Sequence, residues 1–436
     1  MSKPKSSKTS HHPTEKHGHG GTSGPVQSSG GSGGSGGGTT PVSSGQPVFG
    51  QPTQSPDPTS FKNPVTDSSD PDTAGVQPVP QPSTTSPEPV LTLAQIYGSQ
   101  GAAVTQNIQN AGQIVFHSVG DTGSVKGPET QSLVADKMVS DFSEANTADV
   151  PSFYYHLGDV VYYFGEASYY YDQFFEPYRN YQAPILGIAG NHDGIVYPGD
   201  SAPTLSAYLA NFCSQAPVPS PDAGGLDRTT MIQPGVYYTF DAPFVRILGL
   251  YSNVLEDPGV ISDQNGTYPT LDQRQIAFLT AALNRVKAEN YTGALIIATH
   301  HPAFTGGTEH GGSPLMLQDI DNACTATGVW PHAVLSGHAH NYQRYTRTVN
   351  GYQIPFVVAG CGGHSPLSSM RSTVRTPYQI DSTLTLESYD DTDYGYLRIV
   401  VNAQTMTIEF HPESDGGTTK TPDDDVTINL ASRTIS

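Results

Sequence analysis

Short runs of apolar residues recur from Leu91 to the C-terminus, and several of them end in a glycine that is followed by a polar side chain. Runs rich in β-branched and aromatic residues predict strands at Ile114–Val119, Ser152–Leu157, Ile185–Ala189, Ala294–Thr299, Ala333–Ser336, Tyr352–Val358, Tyr396–Val401, Thr405–Phe410 and Val426–Leu430. The helical spacing of apolar residues predicts helices around Gln131–Ser143 and Leu271–Lys287. Strands that alternate with helices in this way are typical of the α/β fold class.

The chain before residue 90 has a different composition from the rest. The sequence contains 46 glycines and 36 prolines, and many of them fall in early stretches such as SGGSGGSGGG and QPVPQPSTTSPEP. Segments this poor in apolar side chains cannot bury enough surface to offset the entropy lost on ordering the chain. We therefore expect residues 1–90 to form a long disordered Gly/Ser/Pro-rich leader, and residues 91–436 to form one folded domain.

Charge and cysteine content argue against several classes of protein. The 40 acidic and 20 basic residues give a net charge of −20, which would repel a nucleic-acid backbone. No apolar stretch approaches the roughly 20 residues that a membrane-spanning helix needs. The N-terminal stretch lacks the hydrophobic region of a standard signal peptide. Cys213, Cys324 and Cys361 match neither a CxxC metal motif nor a disulfide framework.

Side chains that commonly bind metals follow the predicted strands. Asp121 lies in GDTG and Asp159 in GDVVYY, and later loops carry GNHDG, HHP and GHAHN. Functional loops of α/β sheets lie beyond the carboxyl ends of the strands, so we expect these loops to converge. Carboxylate, amide, phenol and imidazole donors suit iron, manganese or zinc better than calcium. Each motif alone can be a turn, a helix cap or a surface pair, but their succession at strand ends favours a metal site.

The series GDxG, GDxxY, GNHD, a strand that ends in histidine before proline, and GHxH resembles the calcineurin-like metallophosphoesterases over residues 113–411. Most of that superfamily begins with DxH, whereas Gly123 stands here in place of the histidine. Tyr162 would supply the missing ligand, and this exchange resembles the purple acid phosphatases, whose tyrosinate suits Fe(III). The resemblance implies a layered β-sandwich core flanked by helices, of the metallophosphoesterase type, that follows the disordered leader.

The resemblance also implies a ligand set for two metal ions. The first, ferric ion would be bound by Asp121, Asp159, Tyr162 and His340. Asp159 would bridge to a divalent Fe, Zn or Mn ion, whose other ligands would be Asn191, His300 and His338. Of the adjacent pair, His300 is chosen over His301 because it lies two residues before Pro302, as the family ligand does.

Two further histidines would face the substrate, according to the same resemblance. His192 would contact the phosphate and protonate the leaving oxygen. His310 lies ten residues after His300, where plant-type members carry a substrate-facing histidine. His301 and His364 are candidate pocket residues, although a buried structural role is favoured for both.

These roles imply the hydrolysis of phosphate monoesters by a metal-bound hydroxide, with the cations neutralising charge on the phosphoryl oxygens. His192, protonated near or below about pH 6.5, would act as general acid and give an acidic optimum. The alternative is a phosphodiesterase that uses the same site. A non-catalytic scaffold of the same fold is less favoured, because all seven expected ligand positions are filled.

The expected partner is a small phosphorylated substrate. Neither a nucleic acid nor a membrane span is expected, and the sequence does not indicate an oligomeric state. Members of the family usually act outside the cytoplasm. The abundant Ser and Thr residues agree with such a location, whereas the lack of a standard signal peptide argues against it.

Overall fold

The computed structural model describes residues 75–197, 200–416 and 420–436. Most of the expected leader, residues 1–74, therefore lies outside the described residues. Its remainder, residues 75–89, packs against the rest of the chain. Val79 is buried, the Gln77 amide donates to Asn253 Oδ1 at 2.9 Å, and Glu88 pairs with Arg285 at 2.8 Å. The packed body thus includes residues that precede position 91.

Two β-sheets form the centre of the described chain. Their strands are β1 (Val90–Thr92), β2 (Gln113–Val119), β3 (Tyr154–His156), β4 (Ile185–Gly187), β5 (Tyr238–Ala242), β6 (Val245–Gly249), β7 (Ala294–Ala298), β8 (Ala333–Ser336), β9 (Tyr342–Val349), β10 (Tyr352–Ala359), β11 (Tyr378–Gln379), β12 (Leu384–Asp390), β13 (Gly395–Asn402), β14 (Thr405–Pro412) and β15 (Asp424–Asn429). Among the described residues, one sheet has nine strands in the order β1-β5-β6-β7-β8-β10-β9-β12-β11, and the other has six in the order β15-β14-β13-β2-β3-β4.

Helices flank these sheets. They are α1 (Leu93–Ile96), α2 (Gly101–Ala111), α3 (Glu129–Ser140), α4 (Ala167–Tyr170), α5 (Asn191–Gly194), α6 (Ser206–Phe212), α7 (Arg274–Ala288) and α8 (Pro314–Thr327). The α7 helix buries Phe278, Leu279, Leu283 and Val286 on one face, as its sequence period predicts. The α8 helix begins with a proline and ends before Gly328, whose φ of 74° closes the last turn.

The structure confirms the predicted α/β fold class, with layered sheets flanked by helices. Every predicted strand and both predicted helices have a counterpart whose ends lie within three residues of the predicted ones. The sequence patterns do not predict the other elements, which include α2, α8, β5, β6, β9 and β12. The β9 strand reads YQRYTRTV, in which arginines and threonines interrupt any apolar run. Its partners β10 and β12 lie on both sides of it, so pairing between strands defines β9 more than its own pattern does.

The two sheets meet at the carboxyl ends of their parallel strands. Gly120, after β2, donates its N–H to Ala359 O at the end of β10, at 2.9 Å. His300, after β7, lies with Nδ1 2.8 Å from Leu157 O, after β3. The loops that follow β2, β3 and β4 in one sheet therefore converge with those that follow β7, β8 and β10 in the other, as the sequence predicts.

A cavity lies away from these converging loops. This cavity, of about 320 Å³ at the amino-terminal side of β4, is lined in part by Phe174, Phe212, Pro217 and Arg228. Two of the lining residues, Pro217 and Asp227, lie in the segment 216–227, which is rich in Pro, Gly and Asp. In the described part of the chain, no helix has both the length and the apolar character needed to cross a membrane.

Candidate metal centre

Three of the predicted ligands lie in strained backbone conformations directly after a strand and a glycine. Asp121, Asp159 and His338 have φ angles of 57°, 54° and 67°. Non-glycine residues rarely adopt these values, although Asp and His tolerate them better than most, and such strain is common at functional sites. The preceding glycines allow close contact between loops: a Cβ at Gly337 would lie 2.4 Å from Asp121 Oδ2, and one at Gly158 would lie 2.7 Å from His300 Nδ1.

The first group of donor atoms, called here the tyrosine cluster, consists of Asp121, Asp159, Tyr162 and His340. The phenol oxygen of Tyr162 lies 3.0 Å from Asp121 Oδ1, 2.8 Å from Asp159 Oδ2 and 3.2 Å from His340 Nε2. All four side chains are buried. One phenolic proton cannot satisfy three acceptors at once, so these closely spaced donor atoms form a candidate cation site.

The second group, called here the asparagine cluster, consists of Asp159, Asn191, His300 and His338. Asn191 Oδ1 lies 2.9 Å from His300 Nε2 and 3.1 Å from His338 Nδ1. His300 Nε2 is also 3.2 Å from Asp159 Oδ2. Because His300 Nδ1 donates to the Leu157 carbonyl, its Nε2 is the ring atom directed at the carboxylate and the amide oxygen. Burial lowers the pKa of His300, but Asp159 and Asp121 outweigh it and raise the pKa to about 9, so these atoms favour positive charge between them and form a candidate cation site.

The electrostatics of both clusters favour bound cations. Burial raises the pKa of Asp121 to about 8, whereas His300 and His192 overcome burial and hold the pKa of Asp159 well below its usual range. Burial and the neighbouring imidazoles hold the pKa values of His338 and His340 well below the usual value, so both rings are neutral. A bound cation requires the neutral form of these imidazoles and would stabilise the ionised form of Asp121.

His192 lies beside the tyrosine cluster, at its more exposed side. Its Nδ1 donates to the Tyr163 carbonyl at 2.8 Å, and its ring centroid is 4.3 Å from that of Tyr162. It is 7% exposed, whereas Asp121 and Asp159 are fully buried. The bond at Nδ1 fixes the orientation of the ring.

His310 lies beside the asparagine cluster. Its Nδ1 is 3.0 Å from Glu256 Oε1 and its side chain is 12% exposed. Its ring centroid lies 4.4 Å from that of His338 and 4.9 Å from that of His340. Burial lowers the pKa of His310, but its hydrogen bond to Glu256 and the charges of the nearby carboxylates outweigh burial and raise the pKa overall. His192 thus lies next to Tyr162 of the tyrosine cluster, whereas His310 contacts one histidine of each cluster.

His301 and His364 are both buried and hydrogen-bonded, in line with the structural role favoured for them. His301 binds Ser252 Oγ at 2.7 Å and the Leu255 carbonyl at 2.6 Å. His364 Nδ1 binds the Gly123 carbonyl at 3.1 Å, and its ring lies 3.9 Å from that of Tyr162. Burial lowers the pKa of each to about 3, so both remain neutral.

Sequence reasoning missed two residues that support the ligands. Glu256 accepts a hydrogen bond from Asn191 Nδ2 at 3.3 Å while it also pairs with His310. Asp193 accepts from the backbone N–H groups of Gly190 at 2.8 Å and Val160 at 3.0 Å, which ties two ligand loops together. Asp193 is visible as the last residue of GNHD, whereas no motif marks Glu256, which follows the unpredicted strand β6.

The chain was compared with known families and structures. The model of the calcineurin-like phosphoesterase family matches residues 119–342, just over half of the chain. No curated protein matches the sequence.

Among solved structures, GAP50, the anchor in the inner membrane complex of Plasmodium, is 13% identical with a TM-score of 0.48, over 73% of this chain and 89% of that one. PhoD is 12% identical with a TM-score of 0.44, over 74% of this chain and 71% of that one. A dimetal phosphatase from Danio rerio is 11% identical with a TM-score of 0.41, over 73% of this chain and 99% of that one. Because these likenesses are distant, the assignment rests on the family match: the chain belongs to the calcineurin-like phosphoesterase family, whose members hydrolyse phosphoesters at a dinuclear metal centre.

Proposed function

We propose that the chain is an acid phosphatase of the purple type, which hydrolyses phosphate monoesters, and that residues 91–436 form its catalytic domain. The observation that carries this proposal is the position of Tyr162. Its phenol oxygen contacts Asp121, Asp159 and His340, and Gly123 stands where most of the superfamily has a ligand histidine.

The two clusters support a specific assignment of the metals. The tyrosine cluster offers two carboxylates, a phenol oxygen and one imidazole, and these mainly hard donors favour Fe(III). The asparagine cluster offers the shared carboxylate of Asp159, an amide oxygen and two imidazoles, which suit divalent Fe, Zn or Mn. When bound, the two cations would activate a water molecule and neutralise charge on the phosphoryl oxygens.

The protein's own residues would orient the ester and move a proton. His192 keeps Nδ1 on the Tyr163 carbonyl, so its Nε2 is the atom that would donate a proton to the leaving oxygen. His310, held by Glu256, would bind a phosphoryl oxygen from the other side. The two cations would attract an anionic substrate to a protein with a net charge of −20, and the raised pKa of His310 favours its positive form there.

Metal analysis and a visible spectrum of the purified protein test the metal assignment. We expect one iron and one further metal per chain, and a tyrosinate-to-iron charge-transfer band that is absent from Tyr162→Phe. A colourless, active zinc or manganese protein would contradict the purple type and leave the phosphoesterase assignment intact.

Substrate class is tested with p-nitrophenyl phosphate and its bis ester. We expect the higher kcat/KM on the monoester, by about tenfold or more. A preference for the bis ester would establish the phosphodiesterase alternative on the same metal site.

A further inference from the structure

We infer that Gln173 is a positioning residue for Tyr162, and that it directs the phenol into the tyrosine cluster. This inference rests on the proposed function, since Tyr162 is a metal ligand only under that proposal. The Tyr162 N–H donates to Gln173 Oε1 at 2.8 Å, and Gln173 Nε2 donates to the Tyr162 carbonyl at 2.7 Å. A single buried amide thus holds both backbone groups of the ligand residue.

The same amide occupies the space that a side chain at position 123 would need. A Cβ added to Gly123 would lie 2.6 Å from Gln173 Oε1, 2.7 Å from the Val160 carbonyl oxygen and 2.8 Å from Val161 Cα. All three distances are shorter than any normal contact, so a side chain at position 123 is incompatible with the backbone that leads to Tyr162 as well as with this placement of Gln173. Gln173 therefore lies where Gly123 and the Tyr162 loop approach each other most closely.

Gln173 has a rigid support for this role. It lies in a π-helical turn, Tyr171–Phe175, that continues α4 and is closed by a bond from the Glu176 N–H to the Tyr171 carbonyl at 2.9 Å. The neighbouring Phe174 packs against Phe212, with ring centroids 5.6 Å apart. Gln173 itself is fully buried. π-Helical turns often occur at functional sites, where the wider turn shifts a side chain relative to a regular helix.

The ring of Tyr162 is held separately from its backbone. It lies between His192, at a centroid distance of 4.3 Å, and His364, at 3.9 Å. These rings limit rotation of the phenol, whereas Gln173 sets the position of the backbone from which the phenol extends. Loss of the amide should therefore move the phenol oxygen relative to Asp121 and Asp159 without unpacking the ring.

The chain contains a matched control for this contact. Gln275 makes the same pair of bonds to Tyr251: the Tyr251 N–H donates to Gln275 Oε1 at 2.9 Å, and Gln275 Nε2 donates to the Tyr251 carbonyl at 2.8 Å. Gln275 is buried, and Tyr251 belongs to neither donor cluster. Gln275→Leu therefore removes an equivalent pair of buried hydrogen bonds without touching the proposed ligand.

The experiment compares Gln173→Leu with Gln275→Leu in the full chain. Unfolding by urea, metal content per chain after dialysis against a chelator, and the visible spectrum of the iron-loaded protein are measured for both. We expect similar decreases in the urea midpoint, since both variants leave backbone groups unpaired. Only Gln173→Leu should shift or weaken the tyrosinate band. The affinity of this variant for the metal ion in the tyrosine cluster should fall by about 10- to 100-fold. If Gln173→Leu does not fold, Gln173→Met removes the same hydrogen bonds with a more adaptable side chain.

Two outcomes would overturn the inference. One is an unchanged band and metal affinity in a folded Gln173 variant; the other is an equal change in Gln275→Leu, which would make both effects structural. Tyr162→Phe tests the proposed function separately, because it removes the proposed ligand itself and should abolish the tyrosinate band. If the wild-type protein has no tyrosinate band, the Fe(III) assignment fails, and the comparison of metal retention between the two glutamine variants still decides the role of Gln173.

Discussion

The tyrosine cluster and the asparagine cluster share Asp159 but differ in chemistry and in support. The tyrosine cluster is rich in anionic oxygen donors, and two of its loops come from neighbouring strands of the six-stranded sheet, β2 and β3. The asparagine cluster is rich in imidazole, and His300 and His338 follow β7 and β8 of the nine-stranded sheet. One site thus combines a hard donor set with a softer one, which supports the proposal of two different metal ions.

The supporting contacts differ in the same way. Gln173 holds the backbone of Tyr162 in the tyrosine cluster, and Asp193 ties that loop to the loop of Asn191. The asparagine cluster depends on contacts between separate loops, such as those of His300 with the Leu157 carbonyl and of Asn191 with Glu256. We therefore expect the asparagine cluster to be more sensitive to changes in how the sheets meet.

The largest effect is expected at the residue that both clusters share. Asp159→Asn removes the bridging charge, so we expect loss of both metals and a fall in kcat of about a thousandfold or more. Metal content and the rate on p-nitrophenyl phosphate measure this. Asp141→Asn is the control, because Asp141 is also buried but bonds to His117 at 2.9 Å, away from both clusters. If the Asp159 variant keeps both metals, the two clusters bind their ions without the shared carboxylate, and the prediction is wrong.

Substitution of His192 tests the proposed role of the residue next to the tyrosine cluster. His192→Ala should lower kcat on alkyl phosphates by about a hundredfold or more, because their leaving oxygen needs a proton. The loss on p-nitrophenyl phosphate should be only a few-fold, since that leaving group needs little proton assistance. The kcat values on both esters decide this, and equal losses would remove His192 from the role of general acid.

His310 tests the asparagine side and should have a smaller effect. His310→Ala removes a side chain that would bind the phosphoryl group, so we expect KM to rise by about tenfold with kcat little changed, on both esters alike. Glu256→Ala leaves the ring without its partner at 3.0 Å and should raise KM less. A fall in kcat that depends on the leaving group would instead give His310 a part in proton transfer.

The smallest effect on activity is expected at His301, which is adjacent to a proposed ligand. His301→Gln keeps some hydrogen-bonding capacity toward Ser252 and Leu255, so we expect both metals to be retained, with a loss of about 1–3 kcal/mol in the free energy of unfolding. His300→Gln should lose the divalent metal. If the two variants gave the reverse result, His301 would replace His300 in the asparagine cluster.

Much of the fold was predictable because buried strands that end in glycine and a polar residue leave a strong local pattern. The boundaries of Ala333–Ser336 agree fully with the structure, and Ile114–Val119 differs by one residue. β9 was not predictable, because apolar and polar residues do not alternate along it. Its conformation depends on pairing with β10 and β12 on either side. The same limit applies to Glu256, since its partners Asn191 and His310 are far away along the chain.

The sequence by itself determined which donor atoms the site contains, since each proposed ligand lies in a short motif directly after a strand. Only the tertiary structure decided how those atoms are grouped and supported. Gln173 lies among aromatic residues whose pattern indicates packing alone, and its hydrogen bonds go to the backbone of Tyr162. Every residue has the same backbone groups, so such a contact leaves no trace in the sequence and becomes visible only when the chain is folded.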